Sequence, residues 1–101
     1  MFAKVHKCAG AGGEVRRIVA VCDASLLGKR FEAKGRVLDL KAHRAFYEGE
    51  RASVARVAEL LDGCENANLV GEKAVACGEK VYGKSPRYEI QGVPLLVVFK
   101  V

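Results

Sequence analysis

The chain has 101 residues, half of them hydrophobic, with 17 Lys/Arg against 12 Asp/Glu and a formal net charge of +5. This length fits a single domain, 1–101, with one core that hides roughly 60–70% of the unfolded surface. The longest apolar run, residues 93–99, is far short of the roughly 20 residues of a membrane-spanning helix.

Ala and Val supply fourteen residues each, while Thr and Trp are absent and Gln and Met occur once. Few thermolabile residues beside many Lys, Arg and Glu fit a heat-adapted source. Met1 leads directly into a charged, strand-like segment, so we expect no signal peptide, no membrane association and a cytoplasmic protein. The four cysteines, Cys8, Cys22, Cys64 and Cys77, include no C-x-x-C spacing, which argues against a zinc knuckle or a thioredoxin-type pair. They read as small buried hydrophobes, with a Cys8–Cys22 disulfide across a hairpin as the alternative.

Residues 2–8 predict a strand, followed by the loop Gly10-Ala11-Gly12-Gly13 and a second strand over residues 15–22. The second strand is apolar on both faces from Ile18 onward, hence central in its sheet, and the two form an antiparallel hairpin. Asp23 is placed to cap the turn 24–27 that Gly28 ends. Residues 31–33 and 36–40 predict two short strands pivoting on Gly35. Ser53 opens a helix with Val54, Val57, Ala58 and Leu61 at i, i+3, i+4 and i+7, and Gly63 stops it. A second helix is predicted from Asn68, with Val70, Ala74, Cys77 and Val81 as its stripe and Gly78 offering an early end. Residues 88–90 predict a strand, Gly92-Val93-Pro94 bends the chain, and residues 95–101 form a last strand inside the sheet. The expected fold is α+β, a mixed and mostly antiparallel sheet of 4–5 strands carrying two main helices.

No catalytic constellation emerges. Val15 stands where a dinucleotide fingerprint started at Gly10 needs glycine, and the loop joins two strands instead of opening a helix. His6 and Cys8 share a strand face, and Asp39 with Glu32 is the one carboxylate pair that could share a pocket. Neither converges with a further catalytic group. We therefore expect no catalytic residue, no metal and no cofactor.

The charge distribution is more informative. Residues 1–51 carry eleven Lys/Arg against six Asp/Glu, whereas residues 52–101 carry six of each. Within residues 29–44 stand Lys29, Arg30, Lys34, Arg36, Lys41 and Arg44, opposed by Glu32 and Asp39, with His43, Phe46 and Tyr47 closing the segment. Phosphate contacts combined with ring stacking are a common means of holding single-stranded RNA. These cations, with His43 or Tyr47 to stack, are the candidate nucleic-acid contacts. The alternative is a solvated charged face.

Four blocks also occur in order: Cys22-Asp23-Ala24-Ser25-Leu26-Leu27-Gly28-Lys29, Phe46-Tyr47-Glu48-Gly49-Glu50, Asn68-Leu69-Val70-Gly71-Glu72-Lys73-Ala74-Val75, and Gly92-Val93-Pro94. On these the chain resembles domain of unknown function 424, a small archaeal family, over essentially its whole length. The resemblance implies a cytoplasmic archaeal protein and supplies no activity or catalytic residue. In the third block Asn68 reads as a helix cap and Glu72 as a first-turn acid. Gly71 marks a close approach, either to the sheet or to an anion held by first-turn N–H groups.

The expected function is a non-enzymatic RNA- or ribonucleoprotein-associated protein. The alternative is a protein-interaction module using Asn68, Gly71, Glu72, Gly92 and Pro94. An enzyme built on His6, Cys8 or Asp39 is a third class.

Overall fold

The computed structural model describes residues 1–9, 12–83 and 87–99, with the side chains of all of these except Cys8 and Phe99. Gly10 and Ala11 of the glycine loop, and the 100–101 end of the expected last strand, lie outside the described residues. In chain order the elements are β1 (Phe2–Ala9), β2 (Val15–Cys22), β3 (Arg30–Ala33), β4 (Arg36–Asp39), α1 (Arg44–Tyr47), β5 (Glu50–Arg51), α2 (Val54–Leu61), β6 (Asn66–Val70), α3 (Glu72–Tyr82), β7 (Tyr88–Ile90) and β8 (Val93–Phe99).

The class is α+β, with six strands in the main sheet instead of four or five. Their order is β5-β1-β2-β6-β8-β7, and β3–β4 forms a separate two-stranded ribbon. The pairing β2–β6 is parallel and the other neighbours are antiparallel. β6 accounts for most of the difference. It begins Asn66-Ala67-Asn68, where asparagine favours caps and turns over strands and alanine is a weak strand former. Burial on both faces overrides that preference: Ala67 and Leu69 enter one core and Val70 enters the other.

The first core lies between the sheet and α2 and α3. Val19, Val21, Leu69 and Leu96 from the strands meet Val57, Leu61, Ala74, Val75 and Cys77 from the helices. Ser53 caps α2 as its sequence predicts, its Oγ accepting from Arg56 N–H at 3.2 Å, and Gly63 follows with φ of 71°. The second helix differs from expectation at both ends. It starts at Glu72, not Asn68, and runs through Gly78 to Tyr82. Gly78 is an interior packing position: a Cβ there would lie 2.9 Å from Leu96 Cδ2 and 3.1 Å from Leu69 Cδ1.

The second core is smaller and sits on the opposite face. Ala20, Cys22, Val70 and Val93 are covered by the excursion between β2 and β5, which contributes Leu40 and Tyr47. Cys22, Cys64 and Cys77 are free thiols and buried. The Cys8–Cys22 bridge is ruled out by register, because Cys8 lies opposite Arg16 and Cys22 opposite Phe2. Six positions along a strand span about 20 Å, and a disulfide needs Cα atoms within about 7 Å.

Candidate nucleic-acid interface

Residues directly opposed across the ladders share a face, so the second side of the sheet can be read in rows. The row Phe2, Cys22, Val70, Leu95 lies at the covered end. The next is Lys4, Ala20, Asn68, Val97, followed by His6, Ile18, Asn66 and then Arg16 opposite Cys8. Cover runs out along these rows: Ile18, Asn66 and Asn68 are half-buried, Val97 is 55% exposed and Arg16 is exposed. A groove of about 300 Å³ lies there, lined by Arg16, Ile18, Asn66, Asn68, Val97 and Val98 among others.

Helix α1 meets this face over β1. The His6 ring stacks on Phe46 at 4.3 Å with planes 10° apart, and its Nε2–H donates to the Phe46 carbonyl at 2.8 Å. Since a carbonyl only accepts, Nε2 carries the proton. Lys4 Nζ donates to the Ala45 carbonyl at 2.8 Å. His6 thus anchors α1, a structural role in place of the catalytic or metal role considered for it. Among the described residues no group of three or more His, Cys, Asp or Glu gathers in metal-binding geometry.

β1 and β2 carry Lys4, Lys7, Arg16 and Arg17 and no carboxylate. Lys7 stands directly opposite Arg17 and both are exposed, which sets two cations side by side in the ladder. Such like-charge pairs destabilise a sheet. Arg16 Nη2 meets Glu14 Oε1 at 3.3 Å, and Glu65 shares a neighbouring cleft with Arg17. Sequence reasoning passed over this hairpin because Lys7 and Arg17 lie ten residues apart in the chain and only the ladder register brings them together. The signal available was two strands with four cations and no acid.

The expected basic segment is divided by its fold. At the ribbon root, Leu40 N–H donates to the Lys29 carbonyl at 2.8 Å, which sets Lys29 beside Lys41. Arg30 Nη1 pairs with Glu32 Oε2 at 2.9 Å, and its Nε lies 3.7 Å from Asp39 Oδ2. Arg44 pairs with Glu48 one turn on. Lys34 is at the opposite, turn end with φ of 51°, and Arg36 turns towards β7, its guanidinium carbon 5.6 Å from the Tyr88 ring centre. Arg30 and Arg36 point from opposite ribbon faces, as the pairings Arg30–Asp39 and Ala33–Arg36 require. The six cations therefore do not make one face.

Asp39 is occupied structurally. Its Oδ1 accepts from Ala42 N–H at 2.9 Å and Lys41 N–H at 3.1 Å, and these bonds, the Ala42 one foremost, hold its carboxyl below the usual range. His43 is exposed and lines a cleft with Phe46 and Leu40. Tyr47, expected to stack on bases, is 8% exposed in the second core. Its ring packs into that core with Ala20, Cys22 and Leu40, and burial pushes its phenol up to about 12.

The residues of the alternative site mostly converge. Gly71, Glu72, Gly92 and Pro94 line a cleft of about 280 Å³ with Asp23, Ser25 and Lys73, at the carboxyl ends of the parallel strands β2 and β6. Gly71 N–H donates to the Pro94 carbonyl at 2.9 Å. Asn68 is elsewhere, in mid-strand on the open face. The first-turn N–H groups of α3 are taken: Asp23 Oδ2 accepts from Lys73 N–H at 3.1 Å and Oδ1 from Ala74 N–H at 2.9 Å. The close approach at Gly71 is to this carboxylate, which removes the anion-pocket reading. Asp23 caps α3, not the turn that follows it.

These features define a small α+β protein with helices on one sheet face and a cationic hairpin that sets Lys7 and Arg17 on that face and Lys4 and Arg16 on the other. The chain belongs to the family described as "Protein of unknown function (DUF424)", whose model matches residues 13–101. It is similar in structure to an uncharacterized conserved protein from the archaeon Methanopyrus kandleri, with 23% identity, a TM-score of 0.66, and 99% of this chain and 93% of that chain covered. That likeness shows a shared fold. No curated protein matches. Among the described residues no helix is long and apolar enough to cross a membrane.

Proposed function

We propose that this protein is a non-catalytic RNA-binding protein of an archaeal cytoplasm, associated with RNA or a ribonucleoprotein. The observation that carries this reading is the β1–β2 hairpin, where Lys7 and Arg17 are directly opposed and no carboxylate stands in either strand. Bringing phosphates to such a ribbon relieves its internal repulsion and releases condensed counterions.

The test is binding of purified protein to labelled single-stranded RNA, duplex RNA and DNA across a salt series. The expected result is an RNA preference with a log K against log salt slope of about −0.7 per single-strand phosphate engaged, summed over several phosphates. No RNA binding at about 50 mM salt, where such contacts are strong, overturns the reading.

The convergence of Gly71, Glu72, Gly92 and Pro94 at one cleft favours a second reading, a protein-docking site there. Ser25 is exposed at its rim, so Ser25→Trp fills the cleft without touching the Asp23 cap. A protein partner retained from nuclease-treated lysate and lost in that variant supports this reading; retention in the variant removes it.

A further inference from the structure

Resting on the RNA-binding reading, we propose that the bound RNA is single-stranded and lies across the open rows of the sheet, with bases against Ile18, Val97 and the Asn66 and Asn68 amides and with phosphates on Lys4 and Arg16. Three observations converge on this ligand class. First, the groove joins apolar and amide surface in adjoining rows, Ile18 with Asn66 and Asn68 with Val97. A purely apolar partner would leave the amides without hydrogen bonds, at the desolvation cost of each unpaired polar group. The planar face and polar edge of a nucleobase satisfy both kinds of surface at once.

Second, Asn66 Oδ1 is the one buried side-chain N or O atom without a hydrogen-bond partner among the described residues, and Asn66 lines both this groove and the adjoining cleft beside Arg17. Buried polar atoms without partners are rare in folded proteins. A base N–H is a donor of the right chemistry. In a duplex the pairing edges face inward and are already used, whereas an unpaired strand can splay them outward.

Third, the charge at the border matches a phosphate backbone. Arg16 is exposed at the groove end, and Lys4 lies in the same row as Asn68 and Val97. An Arg guanidinium also offers a plane for a base to stack on. The groove runs from this cationic border to the apolar Val97, so a strand can keep its phosphates at one side and its bases at the other.

The experiment compares fluorescence anisotropy of a mixed-sequence single strand of roughly 10 nucleotides with a duplex of the same sequence, for wild type, Val97→Glu and Asn66→Leu. Val97 is already half in solvent, so Val97→Glu is tolerated by the fold, which a thermal melt checks. The expected outcome is at least about tenfold tighter binding to the single strand, lost in both variants, on the scale of one base contact. Photo-crosslinking of 4-thiouridine RNA to wild-type protein is expected to label peptides containing Ile18, Asn66 or Val97. Equal affinity for strand and duplex, with labels confined to other segments, overturns this inference and leaves RNA binding standing. No binding to either nucleic acid overturns the RNA reading itself.

Discussion

The carboxylate of Asp23 fills the space that Gly71 leaves empty. A Cβ on Gly71 would lie 2.6 Å from Asp23 Oδ2 and 2.7 Å from Asp23 Cβ, and Gly71 has φ of 104°. Two residues 48 positions apart thus fix where α3 begins, and the cap works because one of them has no side chain. Gly71→Ala is expected to cost about 2–4 kcal/mol, combining left-handed strain with loss of the cap. Asp23→Ala is expected to cost about 1–2 kcal/mol. In the double variant the carboxylate is gone while the Cβ at position 23, 2.7 Å away, still crowds the new methyl, and the cap is lost only once, so the combined cost should be less than the sum of the two single-variant costs. Urea titration of all four proteins measures the coupling; strict additivity would contradict it.

Changing Lys7 to Glu should strengthen the fold while weakening RNA binding. The new carboxylate faces Arg17, turning a like-charge pair into an opposite one and adding up to about 1 kcal/mol of stability. Binding should fall by more than it does in the combined Lys34→Glu, Arg36→Glu, Lys41→Glu variant, whose positions are split between the two ends of the β3–β4 ribbon. Melting temperature and RNA affinity, measured on the same samples, check both directions.

Stability should decline in alkali. Burial, helped by Asp23, pushes the Cys22 thiol up to about 12, and burial does the same for the Tyr47 and Tyr82 phenols. Unfolded, these groups lose their protons near about 8.5 and 10 respectively. The folded state keeps protons that the unfolded chain releases, so this contribution is complete below about pH 8.5 and is lost as pH rises towards 12. Thermal melts from about pH 8 to 11 should show the fall, and Tyr47→Phe should flatten its part above about pH 10.

The turn of the β3–β4 ribbon holds Lys34 at φ of 51° and Gly35 at 77°, the two left-handed positions of a type I′ turn. Asn tolerates the first of these better than Lys does. Lys34→Asn should stabilise the protein by about 0.5–1 kcal/mol, read as a shift of the urea midpoint at constant slope.

What the sequence revealed about the fold was mainly local. Alternation located β1 and β2 to within a residue, and Ser53 with Gly63 bounded α2, because caps and pleats act between near neighbours. β6 was hidden because its two asparagines look like a cap until both faces of the strand are buried. The partner of Gly71 was hidden too, since nothing in the third block names an aspartate from the end of β2. For the candidate site, cation counts pointed to residues 29–44, whose charges the fold divides, and passed over the ladder that sets Lys7 opposite Arg17. Register decides which charges share a face, and a one-residue offset sends Arg30 and Arg36 to opposite sides of their ribbon. Tyr47 was misjudged for a related reason: an aromatic beside cations reads as a stacking platform until the second core requires it.

The parallel junction of β2 with β6 also has a consequence for how the chain reaches its native state. Val21 finds Leu69, and Cys22 finds Val70, only after some 48 intervening residues have been made. Leu96 must then arrive to close β6 from its other side. During synthesis the cationic β1–β2 hairpin can assemble early, while the helices and the second flank of β6 come late. Folding of this kind waits on distant contacts, so the refolding rate should sit with slow, high-contact-order domains, in the range of milliseconds to seconds.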